Sequence, residues 1–121
     1  MAKYRIIPKV LDSLELFKEG EIASIIAKEE WFKQTGAHNR DCEDALDMVM
    51  SIAVVKIAFF VRVVNGISRI SLRSKGKIDV AKIAAVFEGG GHFNAAGCSI
   101  DTLDVEKAKQ IVLKEIFEVY K

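Results

Sequence analysis

Three consecutive glycines, Gly89, Gly90 and Gly91, followed at once by His92, form the segment of this sequence best suited to holding a ligand. One glycine suffices to end a helix, and each further one costs backbone entropy on folding. A run of three lets the main chain approach another object closely and aim N–H groups at it. Such nests of amides bind phosphate or carboxylate oxygens. His92 adds a donor that is charge-assisted when protonated. Asn94 offers a donor and an acceptor, and Ala95, Ala96 and Gly97 keep the adjoining backbone uncluttered. The same run also fits a surface turn, or close packing against a sheet.

Arginines are the second chemical signal. Arg62 and Arg69 flank Asn65-Gly66, a turn dipeptide that pairs them across a hairpin. Like charges directly opposite on a sheet are unfavourable, so the pair either splays into water or shares an anion. Arg73 lies further from the turn, beside Ser74. Its guanidinium can grip a phosphate through two parallel hydrogen bonds, or it can make a surface salt bridge.

Other chemistries find less support. His38, Cys42, His92 and Cys98 are ligand types that could hold zinc, but neither pair has a compact spacing, and Cys98 sits in an apolar context typical of a core thiol. The acidic cluster Asp41, Glu43, Asp44 and Asp47 could recruit a divalent cation. It also suits a solvated helix start. Glu29 and Glu30 are adjacent and diverge on a helix. No hydrolytic constellation is visible, and neither catalytic residues nor metal ligands are expected in this chain.

The elements that must position these groups follow from periodicity. Pro8 suits a first helical turn, with Val10, Leu11, Leu14 and Phe17 following at helical spacing and Gly20 as terminator. Residues 21–27 read as a strand, 28–34 as a short helix ending near Gly36, and 42–50 as a helix. The clearest element is a hairpin, residues 54–64 and 67–74, about Asn65-Gly66. In its second strand Ser68, Ile70, Leu72 and Ser74 share the apolar face, and Arg69, Ser71 and Arg73 point away from the core. Asp79 is expected to cap a helix that buries Val80, Ile83, Ala84 and Phe87. After the glycine run, residues 98–100 form a short strand. Asp104 caps a last helix with Val105, Ala108, Val112, Ile116 and Val119 on one face. This order predicts an α/β (α+β) domain: a mixed β-sheet with a central hairpin, flanked by helices, with a C-terminal helix.

The chain has 121 residues, half of them apolar, which fits a single domain over residues 1–121 with a real core. Its 18 basic and 17 acidic residues nearly cancel, which disfavours broad coating of duplex nucleic acid. The longest apolar run, residues 52–64, is interrupted by Lys56 and Arg62 and is too short to span a membrane. With no secretion signal at Met1, a cytoplasmic protein with reduced thiols and no membrane partner is expected.

Ser71-Leu72-Arg73-Ser74-Lys75, then residues 79–84, then Gly89-Gly90-Gly91-His92 and Ala95-Ala96-Gly97 together resemble the DHH-associated domain of DHH-family phosphoesterases. The likeness runs from about residue 54 to the C-terminus. It is greatest to the branch of nano-RNases and 3′,5′-adenosine-bisphosphate phosphatases. The resemblance implies a division of labour. An N-terminal DHH domain, absent from this chain, holds two Mn²⁺ ions, and the DHH-associated domain closes over the substrate. It implies substrate contacts from Arg73, Ser74, Gly89, Gly90, Gly91 and His92, with Asn94 as an addition. The expected ligand is a nucleotide phosphate or short oligonucleotide, the expected partner is the DHH domain, and the isolated chain should not hydrolyse anything. The family order places this domain C-terminally, so the chain is expected to be part of a longer protein. Two other classes remain open: a nucleic-acid-binding module of the kind that resembles the end of alanyl-tRNA synthetases, and a dimerisation module using residues 8–17 and 105–120 in a homodimer.

Overall fold

A six-stranded mixed sheet runs through the computed structural model of the chain, which covers residues 1–121. The strands β1 (Glu15–Phe17), β2 (Ile22–Ala27), β3 (Ile57–Val64), β4 (Ile67–Ser74), β5 (Gly90–His92) and β6 (Ala95–Ile100) stand in the order β1-β2-β3-β4-β6-β5. The β2–β3 pair is parallel and the others are antiparallel. A parallel pair needs a crossover, supplied by α2 (Glu29–Thr35), a 3-10 turn at Asn39–Cys42 and α3 (Asp44–Met50). The remaining helices are α1 (Ala2–Asp12), α4 (Val80–Val86) and α5 (Val105–Val119). This is the mixed-sheet α/β architecture expected from the sequence.

The β3–β4 hairpin turns at Asn65 and Gly66, whose φ angles of 51° and 83° are both positive, as a tight right-twisting hairpin requires. On one face of the sheet, α4 and α5 bury Phe59, Val61, Ile70, Leu72 and Cys98 together with Ile83, Val112 and Ile116. On the other, the apolar cluster beneath α1 and α3 contains Ala23, Ile25, Ala58 and Phe60 but no residue of β4, β5 or β6. Half of one sheet face is therefore uncovered. Asp79 and Asp104 cap α4 and α5 as expected, each accepting from two backbone N–H groups.

Four local expectations are corrected. Pro8 lies inside α1, not at its first turn. It sits on the exposed side, where water can satisfy the carbonyl it leaves free, while Ile6, Ile7 and Val10 anchor the buried side. The helix stops at Asp12, and Phe17 belongs to β1, because pairing with β2 outweighs a helical spacing. The first hairpin strand starts at Ile57 and not at residue 54. In α5, Val119 is about half exposed, and Lys109 takes a buried place instead. Burial disfavours the Lys109 ammonium, but hydrogen bonds to Glu106 and Glu15 outweigh this and raise its pKa. The contact ties α5 to β1.

Candidate functional site

Strand register places the chemically capable residues in three rows across the uncovered face. The first runs Ala58–Arg73–Ala95–His92 over β3, β4, β6 and β5. The second runs Phe60–Ser71–Gly97–Gly90 and the third Arg62–Arg69–Ser99. Directly paired residues project to the same side. The β4–β6–β5 part of this face is thus paved with small residues and carries Arg69, Arg73 and His92. Arg62 lies at the border where α3 begins. From Arg73 to His92 is two strand spacings, about 10 Å.

The arginines are held without being neutralised. Arg62 lies 5.0 Å from the centre of the Phe60 ring and donates to Ser71 Oγ at 3.3 Å. Its Nε is buried with no partner. Burial, aided by repulsion from Arg69 and Arg73, lowers its pKa, although nearby Cys42 and Glu43 oppose this. Arg69 donates to Ser99 Oγ at 3.2 Å, and a Cβ on Gly97 would stand 3.1 Å from its Nη2. Glycine at position 97 therefore lets the guanidinium lie across β6. Arg73 donates to its neighbour's carbonyl, Leu72 O, at 3.0 Å. The ion pairs of the molecule join Lys3–Asp44, Lys33–Glu29, Lys109–Glu15 and Lys109–Glu106; none uses these arginines.

The seven residues singled out in the sequence separate. Arg73, Gly90 and His92 stand on the open face. Ser74 does not lie beside the Arg73 guanidinium, because alternation along β4 turns it to the buried face; Ser71 is the hydroxyl near the arginines. Ser74 Oγ donates to Ile78 O at 2.6 Å and accepts from Asn94 Nδ2 at 2.9 Å, and Asn94 O accepts from Ser74 N–H. Ser74 and Asn94 thus form a clasp that fixes the β5–β6 turn to the loop before α4. Ser74→Ala should cost about 1 kcal/mol, because a buried hydroxyl and its two hydrogen bonds are lost. A urea midpoint unchanged from that of the parent chain would contradict this role.

Gly90 and Gly91 form, with His92, the edge strand β5, in keeping with the close packing on a sheet that the sequence allows. A Cβ on Gly89 would meet Gly97 O at 2.2 Å and Cys98 Cβ at 2.6 Å, and its N–H is already donated to Ala84 O. Gly91 has φ 146°, and its Cβ would fall 2.6 Å from Ala96 Cα. Only Gly90 faces open space. The object that two of the glycines approach so closely is strand β6.

The acidic cluster is the main surprise. Glu43, Asp44 and Asp47 line a cleft of about 360 Å³ whose opposite wall carries Arg62, Ser71 and Arg73. Only long-range packing of α3 on β3 and β4 creates this arrangement, and local sequence carries no signal for it. Cys42 and Cys98 are free, lie in the two separate cores, and have thiol pKa values pushed by burial up to about 11. They cannot share a zinc ion, and they are unreactive thiols at neutral pH. No three His, Cys, Asp or Glu side chains converge as metal ligands, and no helix is long and apolar enough to cross a membrane.

Fold and face together define a class: an α/β domain with one sheet face half open and bearing unpaired arginines. The DHHA1 domain family matches residues 20–120, and the chain belongs to that family. It is 30% identical over 78 residues to the bifunctional oligoribonuclease and PAP phosphatase NrnA of Thermus thermophilus, a match covering 64% of this chain and 24% of that protein. An exopolyphosphatase-related protein from Bacteroides fragilis superposes with a TM-score of 0.88 at 28% identity, over 97% of this chain and 34% of that one. A pGpG-specific phosphodiesterase, PggH, from Vibrio cholerae shares the fold, with a TM-score of 0.66 at 14% identity over 98% of this chain and 40% of that one. The chain thus spans about a quarter of the length of the curated relative and at most two fifths of these solved neighbours.

Proposed function

We propose that the open face binds the phosphates of a nucleotide or short oligonucleotide, and that the chain is the substrate-binding part of a Mn²⁺-dependent DHH-family phosphoesterase. The observation that carries this reading is Arg69 and Arg73 on a bare surface of small residues, with Arg62 at its border and no carboxylate in ion-pair contact with any of the three. Guanidinium groups match phosphate oxygens in pairs. Packing and hydrogen bonds to Ser71 and Ser99 hold two of them in place before any ligand arrives, which reduces the ordering cost of binding. His92, at the far end of the Arg73 row, supplies a further donor.

The Mn²⁺ ions implied by the family do not fit the residues of this chain, since no ligand set converges here. Their place would be a separate DHH domain, and the chemical step with them. This chain's part is to grip and orient the phosphate.

An amide NMR titration with adenosine 3′,5′-bisphosphate, in the presence of chelator, tests the reading. Shifts should concentrate in β4, β6 and β5 around Arg73, Gly97 and His92, and the ligand should remain intact. Absence of shifts at millimolar ligand, or turnover of the ligand by the isolated chain, would refute it.

A further inference from the structure

The cleft between α3 and the hairpin has walls of opposite charge that do not touch. Glu43 and Asp47 stand one helical turn apart on one wall. Neither takes part in an ion pair, whereas Asp44 beside them is held by Lys3 at 2.6 Å. Arg62 and Arg73 line the other wall, with Ser71 between them. The charges are near enough for Glu43 to raise the pKa of Arg62, yet no carboxylate comes within ion-pair distance of either arginine. Arg62 Nε is buried and unpartnered.

This combination restricts the occupant. A bare anion would be repelled by the carboxylates, and a divalent cation by the guanidinium groups. The cleft suits a neutral, planar molecule with hydrogen-bond donors on one edge and acceptors on the other. Its volume of about 360 Å³ lies within the usual range for small-molecule sites, about 300–1,000 Å³. The Arg62 guanidinium carbon lies 5.0 Å from the centre of the Phe60 ring and one of its Nη groups donates to Ser71 Oγ at 3.3 Å, so the group is held in place at the cleft wall before a ligand arrives.

We infer that this cleft is a nucleobase pocket that selects guanine, with Glu43 and Asp47 accepting from the donor edge of the base and Arg62 donating to its acceptor edge, while Arg73 at the cleft mouth stays with the phosphate. The inference deepens the phosphate-binding reading and rests on it. Arg73 belongs both to the cleft and to the row ending at His92, so a base in the cleft leaves its phosphate over the open face. Guanine presents N1–H and N2–H side by side, a match for the two oxygens of one carboxylate. Its O6 and N7 form the acceptor pair that arginine takes bidentately. Adenine presents a lone pair at N1 next to its amino group, so a carboxylate reaching across that edge meets one donor and one repelling lone pair.

Calorimetric titration of the chain with guanosine 5′-monophosphate, adenosine 5′-monophosphate and ribose 5-phosphate decides the matter. The guanine nucleotide should bind about tenfold tighter than the other two, within the discrimination expected of one bidentate contact. The double variant Glu43→Gln, Asp47→Asn should bring it to the level of adenosine 5′-monophosphate and leave ribose 5-phosphate at least as tightly bound. Both side chains are exposed, so the variant keeps its fold. Equal affinities for the two nucleotides, or a guanine preference that survives in the variant, would overturn the base pocket while leaving phosphate binding intact. If ribose 5-phosphate and both nucleotides all fail to bind, the phosphate reading falls and this inference falls with it.

Discussion

Arg73→Ala is expected to weaken binding of adenosine 3′,5′-bisphosphate by about tenfold to a hundredfold, with little change in melting temperature. The loss corresponds to one or two charge-assisted hydrogen bonds of about 1.5–3 kcal/mol. Stability should hold because Arg73 forms no ion pair and its hydrogen bond reaches only the adjoining carbonyl. Changes at such surface positions usually stay within about 0.5 kcal/mol. Arg73→Lys should fall between parent and alanine, because it keeps the charge and loses the two-pronged geometry. Titration calorimetry beside a thermal melt reads both quantities. Unchanged affinity in Arg73→Ala would remove the central contact of the proposed site.

Gly89→Ala is expected to act in the opposite way, through the fold. Its methyl group would collide with Gly97 O and with the Cα and Cβ of Cys98. The backbone of β6, paired with β4 on its far side, cannot move aside as a flexible side chain could. The expected cost is about 3 kcal/mol, on the order of 10 °C in melting temperature for a domain of this size. Gly90→Ala, where nothing stands within 4 Å of the new methyl group, should leave stability nearly unchanged. Equal melting temperatures for the two variants would show that the glycine run is not there for contact with β6. The contrast also separates two uses of one motif: Gly89 and Gly91 bring β5 onto the sheet, and Gly90 keeps the open face flat.

The parts of this arrangement that could be read in the sequence are those fixed by local rules. Period-two alternation along residues 67–74 put Arg69, Ser71 and Arg73 on the side away from the core, and the structure agrees. Asn65-Gly66, Asp79 and Asp104 announced their turn and caps because each satisfies a short-range backbone demand. The same alternation puts Ser74 on the apolar face, so its hydroxyl turns away from the Arg73 guanidinium although the two are adjacent in sequence. Local rules leave the glycine run open between a ligand loop, a surface turn and close packing on a sheet; the last is what Gly89 and Gly91 do, and it depends on Gly97 and Cys98, on a strand whose position no local signal specifies. Nor could the acidic residues of α3 be placed opposite Arg62 and Arg73 without knowing how the crossover packs.

The two outer strands of the sheet, β1 and β5, are each three residues long. Their outward backbone groups are what a stray polypeptide would need in order to extend the sheet and begin an aggregate. Three residues provide few such groups, two of those in β5 are glycines with no side chain to interlock, and Glu15 places a charge on β1. Segments that assemble into fibrils are commonly about six residues long, with few glycines and little charge. The brevity of both borders lets this domain leave half of one sheet face uncovered without offering its ends as a template for other chains.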